Sequence, residues 1–194
     1  VLTAYGYILD FNNATAASSD TFGASLTGSY PINDAFKLNY RAEYAYQTEG
    51  GNNALDYDAD YYHLMLGGAY ERFTLGAGYE VLGSSGGAVG FQTPLATAHA
   101  FNGWADAFLA TPGVGLEDVY LTAGVKLPYD VPLKVIYHYF QANSGGSELG
   151  NEIDVIVTKK FTKRIGALAK YAHYSGDGGF ASRDKFWFQV EYNF

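Results

Sequence analysis

The sequence predicts an all-β protein: an antiparallel transmembrane β-barrel with about ten strands and one long extracellular loop. Apolar and polar residues alternate with a period of two along most of the 194 residues, as in strands whose two faces meet different surroundings. The connections alternate between tight turns and long polar or Gly-rich loops, which is typical of bacterial outer-membrane barrels. The last alternating segment ends in an aromatic residue, Phe194. Together these features predict a single domain, 1–194, in a bacterial outer membrane.

Ten segments carry the alternation. In the third, Leu38, Tyr40 and Ala42 share one face, while Asn39 and Arg41 lie on the other. We expect strands at about 2–11, 20–31, 35–47, 56–70, 72–82, 117–128, 131–142, 149–161, 164–175 and 182–194. Tight turns join them at Asn33-Asp34, Glu71-Arg72, Tyr129-Asp130 and Thr162-Lys163.

A soluble β-sandwich is the alternative fold, because its strands also alternate between apolar and polar residues. Its apolar faces are rich in Val, Ile and Leu, however, and its loops have no reason to differ in length between the two ends. Here tyrosines recur near the ends of the segments, as the aromatic girdles of a membrane barrel require. The loop and girdle patterns therefore favour the membrane barrel.

The composition narrows the classes of function. Only 16 % of the residues are charged, against about a quarter in soluble domains. The net charge is −8 and no basic cluster is present, which argues against nucleic acid as a partner. The chain has no cysteine, and its four histidines show neither metal-ligand spacing nor a nucleophile motif. We therefore expect no metal, no cofactor and no enzymatic activity.

The last segment carries five alternating hydrophobic residues, which are Phe186, Phe188, Val190, Tyr192 and Phe194. This pattern resembles the signal by which outer-membrane barrels are passed to the barrel-assembly machinery. It predicts that machinery as a partner, together with outer-membrane lipid and lipopolysaccharide.

The longest connection, 83–116, is expected to lie outside the cell, since counting strands back from a periplasmic Phe194 places it there. Thr93-Pro94 suits the start of a helix and Thr111-Pro112-Gly113 its end, which predicts a short helix within 91–113. Its apolar stripe would comprise Leu95, Ala98, Phe101, Ala105 and Phe108. We expect the loop to enter the barrel, and the alternative is a surface cap without effect on permeation. The constricting residues would be His99, Phe101, Asn102, Trp104 and Asp106.

The stretch "FQTPLATAHAFNGWADAFLATPGVGLEDVYLTAG" resembles a region of alginate-export-type outer-membrane porins, a family of proteobacterial barrels. The opening "AYGYILDF" with "SSDTFGASLTG", and the C-terminal strand, are also similar to that family. The resemblance covers most of the chain and corresponds to the C-terminal half of the family's longer members. It implies a wider barrel with further strands upstream, and it leaves the solute open because many members are general porins.

The alternation also places charged residues on the lumen face. By parity, the pore would be lined by Lys37, Arg41, Glu43, Glu80, Lys126, Lys134, His138, Glu152, Asp154 and Lys170. Rings of charge decide which ions pass a channel, and here the two signs are nearly balanced. We expect a weakly selective channel if further strands widen the barrel, and a plugged interior if ten strands close alone.

These observations predict a porin-like channel for passive diffusion of small hydrophilic or anionic solutes, saccharides among them, narrowed by the 91–113 loop. One alternative is a non-conducting structural or docking barrel. Another, less favoured, is a hydrolase at the rim that uses His99 and Asp106. A homo-oligomer is compatible with the prediction, because porins are often trimers.

Overall fold

The computed structural model describes residues 1–97, 99 and 101–194, and this part of the chain is all-β. Its strands are β1 (Leu2–Leu9), β2 (Ser19–Pro31), β3 (Phe36–Glu49), β4 (Asp58–Tyr70), β5 (Phe73–Leu82), β6 (Ser84–Ser85), β7 (Val89–Gly90), β8 (Leu116–Leu127), β9 (Val131–Gln141), β10 (Glu148–Lys160), β11 (Ile165–Gly176) and β12 (Arg183–Tyr192). The ten long strands confirm the ten predicted ones, and every end agrees within two residues. The described residues contain no helix long and apolar enough to cross a membrane.

The ten long strands form one antiparallel sheet in the order β1-β2-β3-β4-β5-β8-β9-β10-β11-β12. Strands β6 and β7 form a separate two-stranded hairpin within the loop 83–115. In the described part of the chain, β1 and β12 are each paired on one side only, so the sheet has two free edges and is not closed.

The sheet is strongly curled. Asn102 donates a hydrogen bond to Glu80 on β5, and Asp106, a few residues later, accepts one from Lys185 on β12. In a flat sheet β5 and β12 would lie about 24 Å apart, since neighbouring strands are about 4.8 Å apart. One short segment nevertheless contacts both strands, as expected of a sheet that curls around it. The loop 83–115 therefore lies against the concave face.

The two faces of the sheet show the reverse of the polarity expected for a protein folded in water. The convex face exposes large apolar side chains along most of the strands, among them Leu64, Leu75, Leu121 and Phe188. The concave face buries polar and charged side chains, among them Gln47, Glu80, Asp118, His138, Glu152 and Asp154. Period-two alternation thus separates an apolar outer surface from a polar interior.

The prediction of a short helix within 91–113 is wrong, because the described residues of this segment form turns and bends. The backbone has positive φ angles at Asn102 (51°), Gly103 (87°) and Asp106 (57°), which interrupt any helical run. The N–H groups of Trp104 and Ala105 bond to carboxylates of β10 instead of to carbonyls within the loop. Tertiary contacts therefore override the helical propensity, and Ala98 of the predicted stripe lies outside the described residues.

The hydrophobic core lies between this loop and the concave face. Ala105 and Phe108 of the loop are buried, and the Phe108 ring packs 4.8 Å from Phe140, 5.8 Å from Tyr174 and 5.2 Å from Phe180, centre to centre. These aromatic contacts fix the loop over β9 and β11.

Candidate functional site

The strand register aligns polar side chains across the concave face. Glu43 lies opposite His63, His63 opposite Glu80, and Glu80 opposite Asp118. His138 on β9 lies opposite Glu152 on β10. We call this row the polar belt, defined by Glu43, His63, Glu80, Asp118, His138, Glu152 and Asp154. It lies nearer the long loops than the tight turns, at the level where the loop 83–115 enters.

In the first half of the belt, each carboxylate already has donors from the protein. Glu43 accepts a hydrogen bond from Tyr5 at 2.7 Å and is paired with Arg41. Glu80 accepts hydrogen bonds from Tyr61 at 2.5 Å and from the loop residue Asn102 at 3.0 Å. The Glu43 bonds therefore link β1 to β3, and the Glu80 bonds link β4 and the loop to β5.

The second half of the belt holds the loop by its backbone. Glu152 accepts the Ala105 N–H at 2.6 Å, and Asp154 accepts the Trp104 N–H at 3.1 Å. Behind them, His138 Nδ1 lies 2.9 Å from Asp118, and its Nε2 lies 3.7 Å from Asp154. These two backbone hydrogen bonds fix the path of the loop across β10.

A third set of contacts, which we call the latch, comprises His99, Asp106, Lys170, Lys185 and the two tryptophans of the chain, Trp104 and Trp187. The Lys170 ammonium donates to His99 Nε2 and lies 4.8 Å and 4.5 Å from the ring centres of Trp104 and Trp187. Because Nε2 accepts, His99 Nδ1 carries the proton and donates to Asp106 at 2.6 Å. Asp106 is also bound by Lys185.

The environment of Asp106 favours its ionised form. Partial burial opposes ionisation, but the hydrogen bonds from Lys185 and His99 outweigh it and lower the pKa of the carboxyl group below its usual 3.8. The latch therefore joins the loop to β11 and β12 through a charged carboxylate at neutral pH.

The predicted pore-lining residues separate into two groups. The structure brings together Arg41, Glu43, Glu80, His138, Glu152, Asp154 and Lys170, in the belt and the latch. It leaves Lys37, Lys126 and Lys134 exposed near the tight turns. Of these, Lys126 is paired with Asp130 in the adjoining turn at 2.6 Å.

Four of the five predicted constriction residues contact the strands. His99, Asn102, Trp104 and Asp106 bond to strand residues, whereas Phe101 is half exposed. The residues of the assembly pattern are exposed on the convex face or at the chain end: Phe186, Phe188, Val190, Tyr192 and Phe194.

Gln47 is a contact residue of the loop that the sequence did not single out. Its side chain accepts the Gln92 N–H at 2.7 Å and donates to the Gln92 carbonyl at 2.9 Å, so it fastens the start of the loop to β3. Parity places Gln47 on the concave face, but the sequence carries no signal that pairs it with Gln92.

A cavity of about 620 Å³ lies between the loop and β1–β5. Its floor is formed by Leu82, Phe91, Phe108 and Leu116, and Tyr5 stands at its β1 side. Its volume falls in the range of small-molecule sites.

The chain matches no model of a protein family, and a comparison with curated proteins finds no match. Among the described residues, no group of three or more His, Cys, Asp or Glu side chains is arranged to hold a metal ion.

Proposed function

We propose that this chain forms the wall of an outer-membrane β-barrel that works as a porin-like channel for small hydrophilic or anionic solutes. The observation that carries the proposal is the reversed polarity of the sheet, with exposed apolar residues outside and buried polar residues inside. Lipid can cover the apolar outer surface, and water can fill the polar interior. Kinship with alginate-export-type porins remains part of this proposal.

A membrane setting requires closure of the sheet, because unpaired backbone groups are costly in lipid. The free edges β1 and β12 would pair with one another or with further strands. The two edge strands run in opposite directions, since the sheet is antiparallel throughout and holds an even number of strands. The strand directions therefore allow antiparallel pairing of β1 with β12, and of each edge with further strands.

The loop 83–115 is the proposed constriction. It is fastened to β3 through Gln47, to β5 through Glu80, to β10 through Glu152 and Asp154, and to β12 through Lys185. A segment held at so many points narrows the interior at a fixed place. Solutes would pass beside it, along the part of the concave face that the loop leaves uncovered.

The proposed selectivity comes from basic residues on the concave face, namely Lys37, Arg41, Lys126 and Lys134. Arg41 and Lys126 have carboxylate partners, whereas Lys37 and Lys134 are exposed. A modest preference for anions follows, because four acidic residues of the belt, Glu80, Asp118, Glu152 and Asp154, are buried.

Single-channel recordings of the natively purified chain in planar bilayers test this function. We expect discrete conductance steps, and a reversal potential under a KCl gradient that moves towards cation selectivity in the variant Lys37→Gln, Arg41→Gln, Lys126→Gln, Lys134→Gln. The matched control, Lys163→Gln with Arg164→Gln, removes two basic residues at a tight turn and should leave the reversal potential unchanged. An unchanged reversal potential in the fourfold variant would disprove the assigned selectivity.

A non-conducting docking barrel is the second candidate. It is favoured by the dense packing of the loop residues Phe108 and Ala105 against the concave face, which fills part of the interior. The same recordings distinguish the two, since a well-folded chain without conductance steps would support the docking barrel.

A further inference from the structure

The 620 Å³ cavity adjoins the polar belt, and Glu43 and Glu80 of the belt form part of its wall. Its floor consists of the buried apolar residues Leu82, Phe91, Phe108 and Leu116. The ring of Tyr5 adds an aromatic side wall. These side chains can hold a guest through dispersion forces and the burial of apolar surface, and they carry no charge.

The amide and carboxylate side chains of the wall have their hydrogen bonds satisfied within the protein. Gln47 bonds to Gln92 and Thr21, and its carbonyl oxygen also accepts from Tyr57 at 3.2 Å. Glu43 is bound by Tyr5 and Arg41, and Glu80 by Tyr61 and Asn102. A hydroxyl-rich guest would have to compete with these internal partners, whereas an apolar guest would leave the bonds intact.

The rim of the cavity carries exposed apolar residues of the loop. Leu95 is 63 % exposed and Leu109 is 58 % exposed, and Phe101 stands with them. The rest of the loop is fastened to the strands by hydrogen bonds, so these three residues stay exposed to solvent beside the cavity. Apolar residues that stay exposed around a preformed cavity are the feature expected of a site that closes over an apolar guest.

We propose that this cavity is a binding site for a small, uncharged molecule with an apolar body, such as a medium-chain alcohol. The guest lies on Leu82, Phe91, Phe108 and Leu116 and is covered at the rim by Leu95, Phe101 and Leu109. The site goes beyond the proposed channel function and does not depend on it, because binding requires the loop and β1–β5 but no conduction.

The test is a fluorescence titration with N-phenyl-1-naphthylamine, which brightens in apolar surroundings. The whole chain is held in lipid nanodiscs free of detergent, and empty nanodiscs give the background. We expect saturable binding that 1-decanol displaces and glucose does not. Leu95→Glu and Leu109→Glu should each weaken binding about tenfold or more, because they place a charge against the guest.

Leu55→Glu is the matched control, since Leu55 is also an exposed loop leucine (43 %) but does not line the cavity. It should bind the probe as the wild type does, and circular dichroism checks that all three variants are folded. The proposal is overturned if both rim variants bind like the Leu55→Glu control, or if glucose displaces the probe and 1-decanol does not. A chain that binds the probe but gives no conductance steps would contradict the channel alone.

Discussion

The backbone N–H of Ala105 donates a 2.6 Å hydrogen bond to Glu152, and this bond holds the long loop against the concave face. The approach is possible only because Gly103 precedes it. Gly103 has a φ of 87°, and a Cβ atom there would lie 2.5 Å from the Glu152 carboxylate. The close contact and the left-handed backbone both require glycine.

Gly103→Ala is therefore expected to release the loop. The left-handed conformation costs an L-residue about 1–2 kcal/mol, and the collision with Glu152 adds about 1–3 kcal/mol. We expect faster cleavage of the loop by added protease and a larger single-channel conductance. Gly145→Ala is the matched control, because Gly145 has a φ of 88° but open space around its Cβ position. Equal effects of the two variants would show that Glu152 does not set the loop position.

The latch predicts a pH dependence of loop docking. The folded-state pKa of Asp106 lies below its unfolded value, so the ionised carboxylate stabilises the docked loop at pH values above about 4. This contribution is lost as the pH falls through the folded-state pKa. Trp104 and Trp187 are the only tryptophans in the chain and both flank Lys170, so their emission should shift to the red over that pH range.

Asp106→Asn should show the red-shifted emission already at pH 7, because Lys185 and His99 then face an uncharged amide. Asp184→Asn is the control: Asp184 also bonds to a histidine, His173, but it is exposed on the convex face of β12, opposite to the latch. Wild-type emission in Asp106→Asn at pH 7 would contradict this role of the latch.

Gly78 on β5 makes room for the Tyr120 ring of β8, its cross-strand partner. A Cβ atom at Gly78 would lie 2.1 Å from that ring, so Gly78→Ala should lower the free energy of unfolding by about 1–3 kcal/mol. Gly166→Ala is the control, since the nearest atom to its Cβ position is 3.6 Å away. In urea unfolding, the cost of Gly78→Ala should largely vanish in a Tyr120→Ala background, and full additivity would refute the contact.

The convex face provides a test of the membrane setting. Leu121 is 58 % exposed there, and an arginine facing lipid near the bilayer midplane costs about 2–4 kcal/mol. Leu121→Arg should therefore reduce the yield of folded protein in lipid vesicles, while Leu55→Arg in an exposed loop should not. A protein folded in water would tolerate Leu121→Arg, so equal yields would count against the membrane proposal.

The positions and faces of the strands could be predicted because they are local properties. Leu38, Tyr40 and Ala42 share one face whatever lies on the other side of the sheet, since side chains alternate with a period of two. The same parity placed Glu80, Glu152 and Asp154 on the concave face, where the structure buries them. Tight-turn chemistry fixed the strand ends within two residues.

The path of the loop could not be predicted in this way. Thr93-Pro94 and the apolar spacing favour a helix locally, but the N–H groups of Trp104 and Ala105 bond to side-chain oxygens of Asp154 and Glu152 on β10, far away in the sequence. A short isolated helix is only marginally stable in water, so these tertiary hydrogen bonds outweigh its local preference. Local propensity therefore lost to tertiary hydrogen bonding.

The sequence by itself determined an all-β chain of ten long strands with one apolar and one polar face, because alternation and turn residues act over a few positions. Only the tertiary structure decided that Gln47 meets Gln92, that His99 and Lys170 join in the latch, and that a cavity with an apolar floor lies beside the belt. These features arise from the curl of the sheet, which brings distant strands onto one loop, and no local pattern in the sequence encodes that distance.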